Sequence, residues 1–473
     1  MSSNHLRKPL LVMVLFCLFM AAQPLPLLYA DSEPPRAEQV ILILWHGFEL
    51  QRIEELSFPG PTAWGLLNTR AGGGDLVSGA YLSLGAGARA VGQIKTGAFM
   101  EDEDAQALYQ LNTGLVPVFI VQPQIAQIIQ AQQVNYTVIP GALGTAFVDV
   151  GLAVRALGNS DGDELARWAA VVSMDQMGQV FAGEIGENQL LNDPQYPFGV
   201  RTNYEQLKSQ VLKAREPLVV VDLGDPYRYD RYRQFLWSTQ QETIGERVFQ
   251  EAWEFIQEVA RLKSPETVIL VLGPHPGQRG ADQGLWLTPI VCLGRTEGLF
   301  ISGTTRWPGL ITNMDVAPTI LETLGITHDQ PFIGRPATIQ PTPEPQSHVR
   351  KLGERIVAVN TKRSLVLRVV IVGQVVLYSL VLVCLIMPDP LPRQLIRLGQ
   401  TLLVLFLLIP LVLLLWSGPV WLVATGLFVG VALGFISGDP LLKVGLISLA
   451  TVIAIAYDVL WGNWLMRFSF LGY

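Results

Sequence analysis

The chain has 473 residues, 33 Lys and Arg against 40 Asp and Glu, and a formal charge of −7, which leaves no basic footprint and excludes nucleic acid as a partner. Its three cysteines, Cys17, Cys292 and Cys384, all lie in apolar runs, so they form neither a disulfide framework nor a Cys-x-x-Cys metal or redox motif. Half of the residues are hydrophobic, with the excess at the two ends of the chain, so the length covers one large α/β unit plus membrane-directed segments.

His5, Arg7 and Lys8 precede the apolar run Pro9 to Ala22, and Leu28-Tyr29-Ala30-Asp31 follows. Residues 1–30 read as a secretory signal peptide or, uncleaved, as a signal anchor. Gln39 to Trp45 (QVILILW) is a continuous apolar run of strand length ending at His46-Gly47, the pattern of a strand buried on both faces. The extended segment Gly65 to Arg70 leads into Gly72-Gly73-Gly74 and then a helix rich in small residues, up to Ala90. Such a turn can present helix N–H groups to an anion, with Gly73 and Gly74 as the candidate contacts. It can equally be a turn that only packs tightly.

Further along, Leu115–Val121, Leu152–Leu157, Ala169–Met174, Pro217–Val221, Val268–Leu272 and Pro289–Leu293 read as strands. Gly141–Val150, Tyr204–Lys213, Ile244–Ala260 and Asp315–Leu324 read as helices, the last with Asp315 as N-cap. The expected fold is α/β, a mostly parallel sheet sandwiched by helices over residues 31–333. Residues 334–363 read as a Pro-rich linker and a basic juxtamembrane segment. Val366–Met387, Gln400–Trp416, Val420–Ile436 and Leu441–Leu460 are apolar runs of spanning length. They predict a bundle of four transmembrane helices over residues 364–473, in a multi-pass protein whose large domain lies outside the cytoplasm.

A parallel sheet gathers the ends of its strands along one edge. His46, Asp222, Asp225 and His275 all follow apolar strands. Their oxygen and imidazole donors suit Zn, Mn or Mg, and two such ions can clamp a phosphoryl group. Each residue also has a plain structural reading. His46 can bond a neighbouring loop, Asp222 and Asp225 can satisfy turn N–H groups, and His275 lies in a turn between Pro274 and Pro276.

Four pieces, VILILWHG, GLLNTRAGGGDLVSGAYLSLGAGARA, LVVVDLGD and TPIVCLG…TNMDVAPTILETLGI, resemble the alkaline phosphatase superfamily, in particular its phosphoglycerate mutase-like branch. The resemblance spans residues 39–327. It implies an alkaline phosphatase-like fold, a two-metal centre and a hydroxyl nucleophile in the glycine turn. Where that family carries its first metal-binding Asp, this chain has His46. Around the nucleophile position it has Asp75, Leu76, Val77 and Ser78, and only Ser78 bears a hydroxyl. The later acids correspond to Asp222 and Asp225, and the family's Asp-His falls on Pro274-His275. Two readings follow. One is a binding or scaffolding module of the cell envelope, without metal, whose partner is an envelope protein or a phosphorylated or anionic ligand. The other is a divalent-metal hydrolase or transferase of phosphate esters with a variant site at His46, Ser78, Asp222, Asp225 and His275.

Overall fold

The computed structural model describes residues 36–132, 136–386, 408–415 and 440–460, together with a few isolated positions. Its centre is a ten-stranded sheet. In chain order the strands are β1 (Gln39–Leu44), β2 (Thr62–Asn68), β3 (Val154–Leu157), β4 (Ala182–Glu184), β5 (Leu218–Asp222), β6 (Thr267–Leu272), β7 (Leu287–Leu293), β8 (Gly298–Ser302), β9 (Leu310–Thr312) and β10 (Ala337–Pro341). Across the sheet they lie in the order β10-β8-β9-β2-β7-β6-β1-β5-β3-β4. Most neighbours are parallel, but β7 runs against both β6 and β2, and β10 against β8.

β1 is central because both of its faces are apolar. Val40, Leu42 and Leu44 enter one core layer, and Ile41, Ile43 and Trp45 enter the other. The first layer takes helix α1 (Leu76–Ala86) and helix α4 (Val316–Leu324). The second takes helix α3 (Ser238–Leu262), whose apolar residues Val248, Ala252, Phe255, Ile256 and Val259 recur at helical spacing. Helices therefore cover both faces, as the sequence predicts.

Several elements differ from the sequence reading. Ala169–Met174, expected as a strand, falls in a short helix, Trp168–Ser173, buried throughout. A short run that is apolar but for Ser173 shows no clear period to separate strand from helix. Contact with α1 settles it, since a Cβ on Gly85 would lie 2.8 Å from the Val172 carbonyl. Of Leu115–Val121 only Ile120–Val121 extends, paired with Gln179–Val180. Val116 is exposed, and Pro117 has no N–H for a ladder. Asp315 does not cap α4 with its side chain. Its carboxylate instead accepts from Thr312 N–H, Ser302 Oγ, Thr304 Oγ1 and Arg335 N–H. The stretch expected as a linker supplies β10, an edge strand, and then enters helix α5 (Pro345–Ile386).

The glycine turn is a packing device. Gly73–Gly74 pairs in parallel with Val91–Gly92. Gly74 has φ +69°, and a Cβ there would sit 2.2 Å from the Gly92 carbonyl oxygen. A Cβ on Gly92 would lie 2.0 Å from Asp75 O and 2.4 Å from Gly79 N. Gly92→Ala is expected to cost about 2 kcal/mol through overpacking, measured as a lower denaturation midpoint. A midpoint equal to the parent's would show that the two backbones are free to move apart.

Among the described residues one helix, α5, is long and apolar enough to cross a membrane. Of the other three expected spans, 420–436 and the first part of 400–416, residues 400–405, lie outside the described residues, as does the signal segment 1–30. The last falls in helix Pro440–Leu460.

Candidate functional site at the carboxyl edge of the sheet

β5, β1 and β6 are adjacent and parallel, so their carboxyl ends bring Asp222, His46 and His275 together. All three are buried. The His46 and His275 rings stack 5.4 Å apart. Asp225 lies just beyond, at the start of helix α2 (Asp225–Tyr232). Four of the five residues expected to form a site therefore meet at one edge.

Ser78 does not offer a nucleophile. It is fully buried in the first turn of α1. Its Oγ donates 2.5 Å to Asp75 Oδ2 and lies 2.9 Å from the Gln93 carbonyl, while its N–H donates to the same Asp75 carboxylate. Asp75 is the N-cap of this helix, so the Ser78 hydroxyl is part of the cap. The Gly73–Gly74 backbone is paired with Val91–Gly92 rather than held open around an anion.

His46 is held from two sides. Nε2 lies 3.0 Å from Asp230 Oδ2, and Nδ1 lies 3.1 Å from Tyr81 Oη. Burial pushes the Asp230 carboxyl up, but the bonds from His46 and from Gln278 N–H outweigh it and hold the group below its usual range. An ionised carboxylate only accepts, so Nε2 carries the hydrogen. Burial raises the Tyr81 phenol well above its ordinary value, the nearby Asp222 adding to the effect. The phenol keeps its proton and closes the second side of the His46 ring. His275 accepts from Gly277 N–H at 3.2 Å. Burial, helped by the neighbouring His46, pulls its pKa down to about 3, so it is neutral.

The acids are committed as well. Asp225 and Arg228 form an ion pair at 2.6 Å, each side chain 1% exposed. Thr202 N–H donates to both Asp225 oxygens, and Arg228 also donates to Thr202 Oγ1 and the Asn159 carbonyl. Asp222 accepts from Ser160 Oγ at 2.6 Å, and burial lifts its carboxyl to about 6 against the pull of that bond and of Arg228.

A divalent ion needs deprotonated donors with free lone pairs. Here both His46 nitrogens are hydrogen-bonded, to Asp230 and Tyr81, Asp225 is paired with a guanidinium, and Asp222 is bonded by Ser160. No group of three His, Cys, Asp or Glu among the described residues is arranged to hold a metal. The donor set does not fit the two-metal centre that the family resemblance implies.

Beside His46 a cleft of about 550 Å³ opens between the end of β1, α2 and α3. Its wall mixes Arg233 and Arg279 with Glu49, Glu242 and Asp230. Tyr81, Arg228 and Asp230 were not singled out in the sequence. Arg228 carried a usable signal, standing three residues after Asp225 on one helical face. Asp230 carried none, because its partner is 184 residues away.

No family model matches the chain, and no curated protein matches it. Among solved structures it is similar to a protein from Pyrococcus horikoshii, with 11% identity and a TM-score of 0.35 over 62% of this chain and 99% of the other. It is also similar to a "putative sulfatase" from Bacteroides thetaiotaomicron, with 12% identity and a TM-score of 0.33 over 64% of this chain and 74% of the other. Neither likeness assigns an activity to this chain.

Proposed function

We propose that this protein is a membrane-anchored binding module of the cell envelope. In this reading its outer domain keeps an alkaline phosphatase-like layout and has given up the metal-dependent hydrolytic centre. The observation that supports it is the buried Asp225–Arg228 pair. A permanent cation, Arg228, supplies the positive charge beside Asp222 and Asp225 that a metal would otherwise bring. The capped Ser78 hydroxyl and the two occupied nitrogens of His46 agree with this. The surface left for recognition is the cleft beside His46, where Arg52, Arg233 and Arg279 stand among Glu49, Asp230, Glu242 and Glu246, a mixed wall that suits a polar partner group.

The test is elemental analysis of the purified full-length chain before and after soaking with Zn and Mn. A phosphoester turnover assay at neutral and alkaline pH is run on the same samples. The expected result is substoichiometric metal and no turnover above buffer. Stoichiometric metal that disappears in His46→Ala and Asp222→Ala would replace this reading with the hydrolase.

A further inference from the structure

Two helices project past the carboxyl edge of the sheet in the same direction. α3 runs against the strands, since Lys263, just after its end, donates to Gln39 at the start of β1. Its other end passes the end of β1 at Phe249, which packs on Trp45 with ring centroids 5.1 Å apart and lies under the Arg52 guanidinium. The helix continues beyond that level for twelve residues, back to Trp237, a length of about 18 Å at 1.5 Å per residue.

α5 runs with the strands. Gln346 donates to the Leu56 carbonyl, Arg350 pairs with Glu54, and Gly353 packs on Leu50. Leu50 lies between Glu49 and Arg52 in the chain, and both of those line the cleft. From Gly353 the same helix reaches Leu365 twelve residues later, again about 18 Å. From Leu365 to Val372 it is apolar apart from Arg368, and Leu365, Val369, Ile371 and Val372 are all exposed.

The tip of α3 at that height carries Phe235 and Trp237, 65% and 84% exposed, close to Arg231 and Arg233. Isolated exposed aromatics are ordinary. A Phe and a Trp two residues apart, beside arginines, at the height where α5 on the same face of the sheet becomes apolar, match the composition of a membrane interface. We propose that the loop Phe235–Trp237 is a second membrane contact, seated in the lipid headgroup layer beside α5, so that the carboxyl edge of the sheet and the His46 cleft face the bilayer. This inference rests on the membrane-anchored reading above. It adds that a partner enters the cleft from the layer, on the order of 18 Å deep, between domain and lipid.

The test uses the full-length chain in vesicles of phosphatidylcholine and phosphatidylglycerol. Cys17 and Cys384 are changed to Ser, and Cys292, which is buried, is left in place. Single cysteines are introduced as Trp237→Cys, Leu262→Cys and Val369→Cys and labelled with an environment-sensitive fluorophore. Leu262 is exposed at the opposite end of α3 and marks the aqueous side. The label at 237 is expected to shift to the blue and to be quenched by doxyl lipids, as the label at 369 is, while the label at 262 responds only to aqueous iodide. If 369 is quenched by lipid and 237 behaves like 262, the loop proposal is overturned and anchoring stands. If 369 itself stays in water, anchoring and the loop proposal fall together.

Discussion

Arg228→Met is expected to destabilise the outer domain by about 3–5 kcal/mol, the usual cost of leaving one partner of a buried ion pair without the other. Both side chains are 1% exposed and 2.6 Å apart, so no water compensates Asp225 once the guanidinium is gone. The cost also includes the bonds to Thr202 Oγ1 and the Asn159 carbonyl, which tie α2 to Thr202 and to the turn after β3. The double variant Arg228→Met with Asp225→Asn removes both charges and is expected to recover a large part of the loss. Denaturant melts of the parent, both single variants and the double variant form the cycle that measures the coupling. A single-variant cost below about 1 kcal/mol would mean that the pair is hydrated. Arg228 would then not be the fixed cation on which the proposed function depends.

Asp222→Asn is expected to stabilise the protein at high pH and to do little at low pH. Burial raises this carboxyl from 3.8 to about 6, with the Ser160 bond, Arg228 and His46 opposing it. The folded state thus keeps a proton that the unfolded chain releases. Where the folded state binds more protons, stability falls as pH rises. The stabilising contribution is complete below the unfolded value, declines between about pH 4 and pH 6, and is absent above. Two pKa units at about 1.4 kcal/mol each give a loss on the order of 3 kcal/mol. Asparagine has nearly the same shape, still accepts from Ser160, and carries no charge at any pH. Melts at pH 4 and pH 8 are the measurement. A variant-minus-parent difference that is the same at both pH values would show that Asp222 is not ionising in the fold.

The two variants ask one question of the strand ends. Arg228 neutralises Asp225, and Ser160 holds Asp222, so protein groups alone engage both acids. That is why the module reading is favoured over a variant hydrolase.

Much of this architecture is legible in the sequence. Gln39–Trp45, Pro217–Val221 and Val268–Leu272 show as buried strands because a run apolar at every position fits only where both faces are covered. Their shared direction then places His46, Asp222 and His275 on one edge. Ala169–Met174 resisted because a six-residue run with one polar position, Ser173, has no clear period to read. The Gly334–Pro345 stretch resisted because an edge strand, half in solvent, keeps the polar composition of a linker.

The α/β class, the converging strand ends and the apolar run that becomes α5 are readable locally, because each follows from spacing within a few turns of chain. What the convergence means depends on long-range packing. Folding turned β7 against its neighbours, gave Ser78 to its own helix cap, and brought Asp230 to His46 across 184 residues. Whether a buried polar group is free to act depends on which distant group satisfies it, and local spacing carries no record of that.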